Sequence, residues 1–349
     1  MRATLPDELP LICPACRQRT ERGREMFTVA LIAGVPEAST GEIEEGVLAC
    51  VNPPCGKRYP IVAGIPILSK NLPELLRSQI SAVVEADITP QVAAVLAEAG
   101  PDDEPYPLMM ETLSIYLDAH WGDRVEPSAD GPAPMFGFAA IAGRLAGRSE
   151  APVGRAIELG CSVGRGLAEL ARSADLAVGL DNNFGALRRA RRLLGGRPLT
   201  YARRVAGRHY RVATAKPGDR AASNVALICG DALDPPLAPH SFARVAAINV
   251  LDAVSHPRQL LSVCDGLLEP GGELLLTSPY SWQSHVSHDE ERLPTSDPAG
   301  ALRKILDAGE GLEAPYAMQD EATLRWWLRR DARSAAVYDT HYVRAQKRF

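Results

Sequence analysis

The run Ala156-Ile157-Glu158-Leu159-Gly160-Cys161-Ser162-Val163-Gly164-Arg165-Gly166 decides how this chain is read. Ala156 to Leu159 reads as a buried strand, the glycines as a tight turn, and the following LAELARSA as a helix. A second apolar run, Ala177-Val178-Gly179-Leu180, ends in Asp181. Strand, glycine turn, helix, strand and acid form a frame that suits a nucleotide-like ligand. Glycine lets the backbone approach the ligand closely, and the first helical turn offers unpaired N–H groups. A carboxylate at position 181 can accept from both ribose hydroxyls and would repel a 2′-phosphate.

The spacing selects among nucleosides. A dinucleotide fingerprint runs G-x-G-x-x-G, whereas the order here is E-x-G-x-S-x-G. A carboxylate at Glu158 suits an ammonium, directly or through water, and opposes a pyrophosphate. The stretch resembles the first motif of class I S-adenosylmethionine-dependent methyltransferases. Later segments keep that family's order. Ser223 to Ala232 (SNVALICGDA) reads as a third strand ending in Gly-Asp-Ala, and Phe242 to Leu251 as a fourth with Asn249 near its end. Leu268-Glu269-Pro270-Gly271-Gly272 is a turn into a fifth strand, its proline fixing φ and its glycines supplying unusual angles. The resemblance covers residues 150–349. It implies a seven-stranded doubly wound α/β sheet whose last strand is antiparallel. It also implies a cofactor site of Glu158, Gly160, Ser162, Gly164, Asp181, Asn182, Asp231, Ala232 and Asn249, holding S-adenosylmethionine.

A second constellation lies at the amino-terminus. Cys13-Pro14-Ala15-Cys16 and Cys50-Val51-Asn52-Pro53-Pro54-Cys55 are two cysteine pairs far apart in sequence. Four such thiolates suit a tetrahedral zinc site. With the tail Lys57 to Leu68, they resemble the small zinc-ribbon proteins that act as methyltransferase activators, although the second pair is C-x4-C rather than C-x-x-C. The expected organisation is a zinc ribbon over 1–70, a helical cap or linker over 71–150 and a methyltransferase domain over 151–349.

Charge and cysteine usage bound the setting. The 349 residues carry 38 basic and 43 acidic side chains, a net −5 that argues against a general nucleic-acid binder. The other three cysteines sit in or beside apolar segments, which suits a reducing cytoplasm. No basic and apolar leader opens the chain and no apolar run is long enough to span a bilayer, so neither export nor a membrane partner is expected. Residues 71–150 are acidic and read as helices over Leu72–Ala86, Pro90–Ala99, Leu108–Trp121 and Met135–Leu145, with a polar connection over Glu126–Pro134. Leu199–Val205 and Arg208–Val212 read as a basic hairpin, either a contact for an anionic substrate or RNA or a solvated ribbon.

Acceptor chemistry is carried by fewer residues. Thr277 to Trp282 follows the fifth strand, where methyltransferases expose acceptor-side groups. Together with Tyr116 to Gly122 and the ending Asp320 to Tyr342, it is similar to the methyltransferase domain of ovothiol-pathway enzymes. That resemblance implies N-methylation of an imidazole or amino-acid-like small molecule, with Tyr280, His120 and Tyr116 as catalytic candidates. Trp282, His285 and His288 are further acceptor-side candidates, and Ser334 to Gln346 is expected among the final strands. RNA or protein methylation with the ribbon as activator or recruitment module, and a non-catalytic cofactor- or zinc-binding scaffold, are the alternatives.

Overall fold

A computed structural model describes residues 1–20, 23–36, 41–72, 74–75, 105–125, 137–145, 154–207, 209–218, 222–294 and 296–349. The amino-terminal part holds helix α1 (Leu5–Glu8), the hairpin β1 (Gln18–Thr20) and β2 (Gly23–Glu25), and a sheet of β3 (Val29–Pro36), β4 (Ile43–Cys50), β5 (Arg58–Val62) and β6 (Ile65–Pro66). Helices α2 (Pro105–Trp121) and α3 (Ala139–Leu145) follow. The expected helices over Leu72–Ala86 and Pro90–Ala99 lie almost wholly, and the connection Glu126–Pro134 wholly, outside the described residues. Among the described residues, no helix is long and apolar enough to cross a membrane.

The carboxyl-terminal part then runs β7 (Arg155–Leu159), α4 (Arg165–Leu170), β8 (Leu176–Asp181), α5 (Phe184–Leu194), β9 (Leu199–Ala206), β10 (His209–Ala215), β11 (Val225–Cys229) and β12 (Phe242–Ile248). After these come α6 (Pro257–Leu267), β13 (Leu268–Ser278), α7 (Pro298–Ala308), β14 (Tyr316–Arg329) and β15 (Ala335–Lys347). Seven strands form one mixed sheet in the order β11-β8-β7-β12-β13-β15-β14. The first five are parallel, and β15 runs antiparallel to both neighbours. Strand order reverses between β7 and β12, which opens a crevice at their carboxyl ends. The Pro270-Gly271-Gly272 turn lies within β13 as a bulge. Phe242 pairs with Leu268, but Arg244 already pairs with Glu273, and Gly271 has φ +77°.

Strand β14 completes the expected seven, over residues that carried no strand assignment of their own. It and β15 outrun β13, whose pairing with β15 ends at Ser278–His341. The remaining ladder, out to Arg329–Ala335, overhangs the carboxyl ends of the parallel strands. Helix α2 packs on this overhang and on the β9–β10 hairpin. Arg203 pairs with Asp118 at 2.7 Å and Arg204 with Glu111 at 2.5 Å. Two of the basic residues of the hairpin are thereby spent on clamping α2.

The amino-terminal sheet is not a free-standing appendage. Leu11, Leu48, Ile61 and Leu68 share one apolar core with Ile157, Leu180, Ile228 and Val245. Ile67 bridges Cys229 in parallel, so the end of the ribbon extends the main sheet beyond its β11 edge. The Leu68 N–H donates to the Cys229 carbonyl at 2.8 Å, and Arg17 pairs with Asp234 at 2.7 Å.

Candidate functional site

A cavity of about 440 Å³ occupies the switch-point crevice. Gly160 and Ser162 line it from the turn after β7, Asp181 and Asn182 from the end of β8, Asp231 and Ala232 after β11, and Asn249 after β12. Seven of the nine expected cofactor residues therefore meet on one surface, because each follows a parallel strand at the same edge.

The turn is locally enforced. Gly160 has φ +71°, and a side chain there would collide with Val250. Ser162 adopts φ +48° without being glycine. Its N–H donates to Asp181 Oδ2 at 2.8 Å, while the Asn183 N–H donates to Oδ1 at 2.7 Å. Asp181 thus ties the two loops together and keeps further lone pairs for a ligand. Burial raises its carboxyl above the ordinary value, and these backbone N–H groups oppose that rise. Asn249 is fixed from the neighbouring strand. Its N–H donates to the Thr277 carbonyl at 3.0 Å and to Thr277 Oγ1 at 2.9 Å, and Thr277 Oγ1 donates to its Oδ1 at 2.7 Å.

Two expected cofactor residues lie off the cavity. Glu158 is 1% exposed and sits beneath the first turn of α4, where a side chain on Gly166 would strike its carboxylate. Neither oxygen has a partner within hydrogen-bonding geometry. Burial foremost, then the Asp181 charge, pushes this carboxyl well above the usual range, with the Leu167 N–H pulling the other way. Its place is under the loop, not on the wall where an ammonium would touch it. Gly164, at φ +80°, lets α5 pack closely, since a Cβ would lie 2.9 Å from the Ala190 Cβ.

The roof comes from α2 and the β14–β15 overhang. Thr112, Leu113, Tyr116 and His120 share one helical face and line the cavity, with Trp326, Leu328 and Tyr338 opposite. The helix end is pinned by the Trp121 Nε1–H, which donates to the Val163 carbonyl at 2.9 Å. Arg165 pairs with Asp123 at 2.6 Å and Glu169 at 3.1 Å. His120 is 5% exposed and packs 4.8 Å from Phe138 and 6.0 Å from Trp326. Burial, then the Arg165 charge, lowers its pKa from 6.5 to about 3, so the ring is neutral at physiological pH. An unfolded chain binds this proton more readily, so stability rises with pH across the window from about 3 to 6.5. Denaturant titrations of the native protein should lose stability as pH falls through that window. The loss should be shallower in His120→Phe.

Tyr280 does not join the site. It caps β13 in a left-handed conformation, φ +53°, and its hydroxyl meets His341 Nδ1 at 2.7 Å instead of the cavity. Trp282, His285 and His288 are also off the cavity lining. Tyr280→Phe is therefore expected to change the methyl-transfer rate by less than about threefold, since it removes no group facing the reacting atoms. A loss of about a hundredfold in a single-turnover assay would return Tyr280 to the mechanism. The residue missed from sequence is Asp252, 6% exposed and on the cavity wall. Its place three residues beyond Asn249, on the switch-point loop, was the available signal.

The cysteine cluster lies apart from the cavity. The Sγ atoms of Cys13, Cys16, Cys50 and Cys55 all fall within 4.8 Å of one another. Cys13–Cys55 and Cys16–Cys50 are 3.8 and 3.5 Å apart. Four sulfurs about 2.3 Å from one zinc ion would stand about 3.8 Å apart, so the set fits that ion. Asn52 donates its N–H to Cys50 Sγ at 3.4 Å and its Nδ2–H to Cys16 Sγ at 3.5 Å, contacts that favour thiolate.

Residues 157–276 match the family model described as a methyltransferase domain. No curated protein sequence matches the chain. Among solved structures the chain is similar to a Haloferax volcanii complex between a methyltransferase activator and a methyltransferase. That match has 15% identity and TM-score 0.44, and covers 69% of this chain and 97% of the other. It is similar to the cyclase SpnF at 15% identity and TM-score 0.41, covering 69% and 94%. It is also similar to the magnesium protoporphyrin IX methyltransferase of Synechocystis PCC 6803, solved with its methyl donor bound, at 14% identity and TM-score 0.37, covering 60% and 76%. The domain match falls on the strands and loops that build the cavity, and by that domain the chain is a methyltransferase.

Proposed function

We propose that the cavity binds S-adenosylmethionine and that the enzyme N-methylates a small imidazole or amino-acid-like acceptor. The observation that carries this is the convergence of Asp181, Asp231, Asn249 and the Gly160–Ser162 turn on one small cavity roofed by Tyr116 and His120. Asp181 would accept from the ribose hydroxyls, Asp231 and the Ala232 N–H would meet the adenine edge, and Gly160, Ser162, Asn182 and Asn249 would hold the remainder. When bound, the cofactor supplies an electrophilic methyl group to a nitrogen lone pair, and its C–S bond breaks with the electron pair moving to sulfur. The protein's share is alignment and exclusion of water, effects that reach about 7–11 kcal/mol when geometry is fixed. Neutral His120 and Tyr116 face the acceptor side and orient it through hydrogen bonds. A neutral imidazole nitrogen needs no strong base.

The four cysteines hold zinc, and the ribbon over residues 1–70 acts as an activator built into the same chain. The shared core and the Ile67–Cys229 bridge support that role. Residues 71–150 then serve as cap and linker to the catalytic domain over 151–349. Mass-spectrometric screening of imidazole and thiol metabolites with purified protein and S-adenosylmethionine tests the reading. Gain of one methyl group by an imidazole supports it. Cofactor binding with no turnover of any small molecule, but methylation of RNA or protein, contradicts it.

A further inference from the structure

The cavity wall is electrostatically one-sided. Its lining holds three carboxylates, Asp181, Asp231 and Asp252, and among the described residues no lysine or arginine. Its histidine, His120, is neutral. Nearby cations are engaged elsewhere: Arg165 with Asp123 and Glu169, Arg203 with Asp118. The cofactor reading uses Asp181 and Asp231 but leaves Asp252 without a task. Asp252 Oδ1 accepts from Ser278 Oγ at 2.8 Å, and Oδ2 from the Ser281 N–H at 2.9 Å. Each oxygen keeps a second lone pair.

The rest of the acceptor side is aromatic. Tyr116, His120, Trp326 and Tyr338 line it, and the charges of Asp181 and Asp252 both act on the Tyr116 hydroxyl. His120 is 5% exposed, and its Nδ1 has no hydrogen-bond partner. A buried polar atom without a partner is costly unless a ligand satisfies it.

We infer that the acceptor is a small heteroaromatic amine bearing positive charge and no carboxylate or phosphate, its ammonium received by Asp252 and its ring by Tyr116, His120, Trp326 and Tyr338. The inference rests on the proposed methyl-donor site and narrows its acceptor class from histidine-like to histamine-like molecules. An anionic group on the acceptor would meet the like charge of Asp252 in a poorly screened cavity, with no lysine or arginine among the described lining residues to offset it. A cation gains from the same carboxylates and from aromatic faces. Burial raises the Asp252 carboxyl, and a neighbouring ammonium would hold it ionised.

The test is calorimetric titration of protein saturated with S-adenosylhomocysteine, using histamine, histidine and imidazole-4-propionate as probes. Histamine is expected to bind tightest and the propionate weakest, with about tenfold or more between them. Asp252→Asn should reduce that preference about 10–100-fold, the value of one charged hydrogen bond, while S-adenosylhomocysteine still binds. Tyr338→Leu leaves the carboxylate in place and should weaken histamine about 3–30-fold. Equal or tighter binding of the propionate, a preference unmoved by Asp252→Asn, or no binding of any probe to loaded protein overturns the acceptor assignment alone. Failure of S-adenosylhomocysteine to bind the native protein overturns the methyl-donor reading, and this inference with it.

Discussion

Cys16→Ser is expected to empty the proposed metal site and to lower the melting temperature of the catalytic sheet along with the ribbon. Cys16 Sγ stands 3.5 Å from Cys50 Sγ within the four-sulfur cluster, and a serine oxygen is a poor substitute for a thiolate on zinc. A structural zinc ion contributes ~10–16 kcal/mol in apparent terms to small domains that fold around it. Here the loss would not stay local. Leu11, Leu48, Ile61 and Leu68 bury against Ile157, Leu180 and Ile228, so unfolding the ribbon uncovers the flank of the sheet. Elemental analysis and thermal unfolding followed by tryptophan fluorescence read both effects. All four tryptophans lie beyond residue 120, outside the ribbon. Full zinc occupancy in the variant would refute the four-thiolate site. Metal loss with an unchanged melting temperature would refute the shared core.

Asp181→Ala is expected to weaken cofactor binding by at least about 2 kcal/mol, roughly thirtyfold. Two losses combine. The ribose hydroxyls lose a charged acceptor, and the Ser162 and Asn183 N–H groups lose the oxygens they meet at 2.8 and 2.7 Å. Ser162 holds φ +48° partly through that bond, so the turn is free to relax once it is gone. Asp181→Asn should be milder, because an amide oxygen still accepts one of the two bonds. Titration with S-adenosylhomocysteine checks both variants. Affinity unchanged in the alanine variant would remove Asp181 from the ribose.

The parts legible in the sequence were those fixed by local backbone demands. The Gly160–Gly166 turn and the Pro270-Gly271-Gly272 bulge announce themselves through residues that few other conformations require. Helix α5 begins at Phe184 and ends at Leu194, as its apolar spacing indicates. The hidden parts depend on long-range pairing or on side-chain direction. Nothing near Ile67 in sequence shows that it will meet Cys229. Strand β14 is obscured by Asp320-Glu321 and a register shift between Met318 and Asp320, which interrupt the strand before Ala322, Leu324, Trp326 and Leu328 alternate against the core. Tyr280 sits at the end of β13, as its position implied, but only its His341 contact shows that the hydroxyl leaves the cavity. Glu158 lies on β7 as its position implies, but its burial under Gly166 takes it off the cavity wall and leaves no direct contact with a ligand there. The basic hairpin was recognised, while the destinations of Arg203 and Arg204 on α2 were not.

The proposed function stands on S-adenosylmethionine occupying the switch-point cavity. Calorimetric titration of the purified native protein with that molecule tests it most directly. Saturable binding at one site per chain is expected, competed by S-adenosylhomocysteine and weakened by Asp181→Ala. No heat of binding from a protein that unfolds cooperatively and carries its zinc would contradict it.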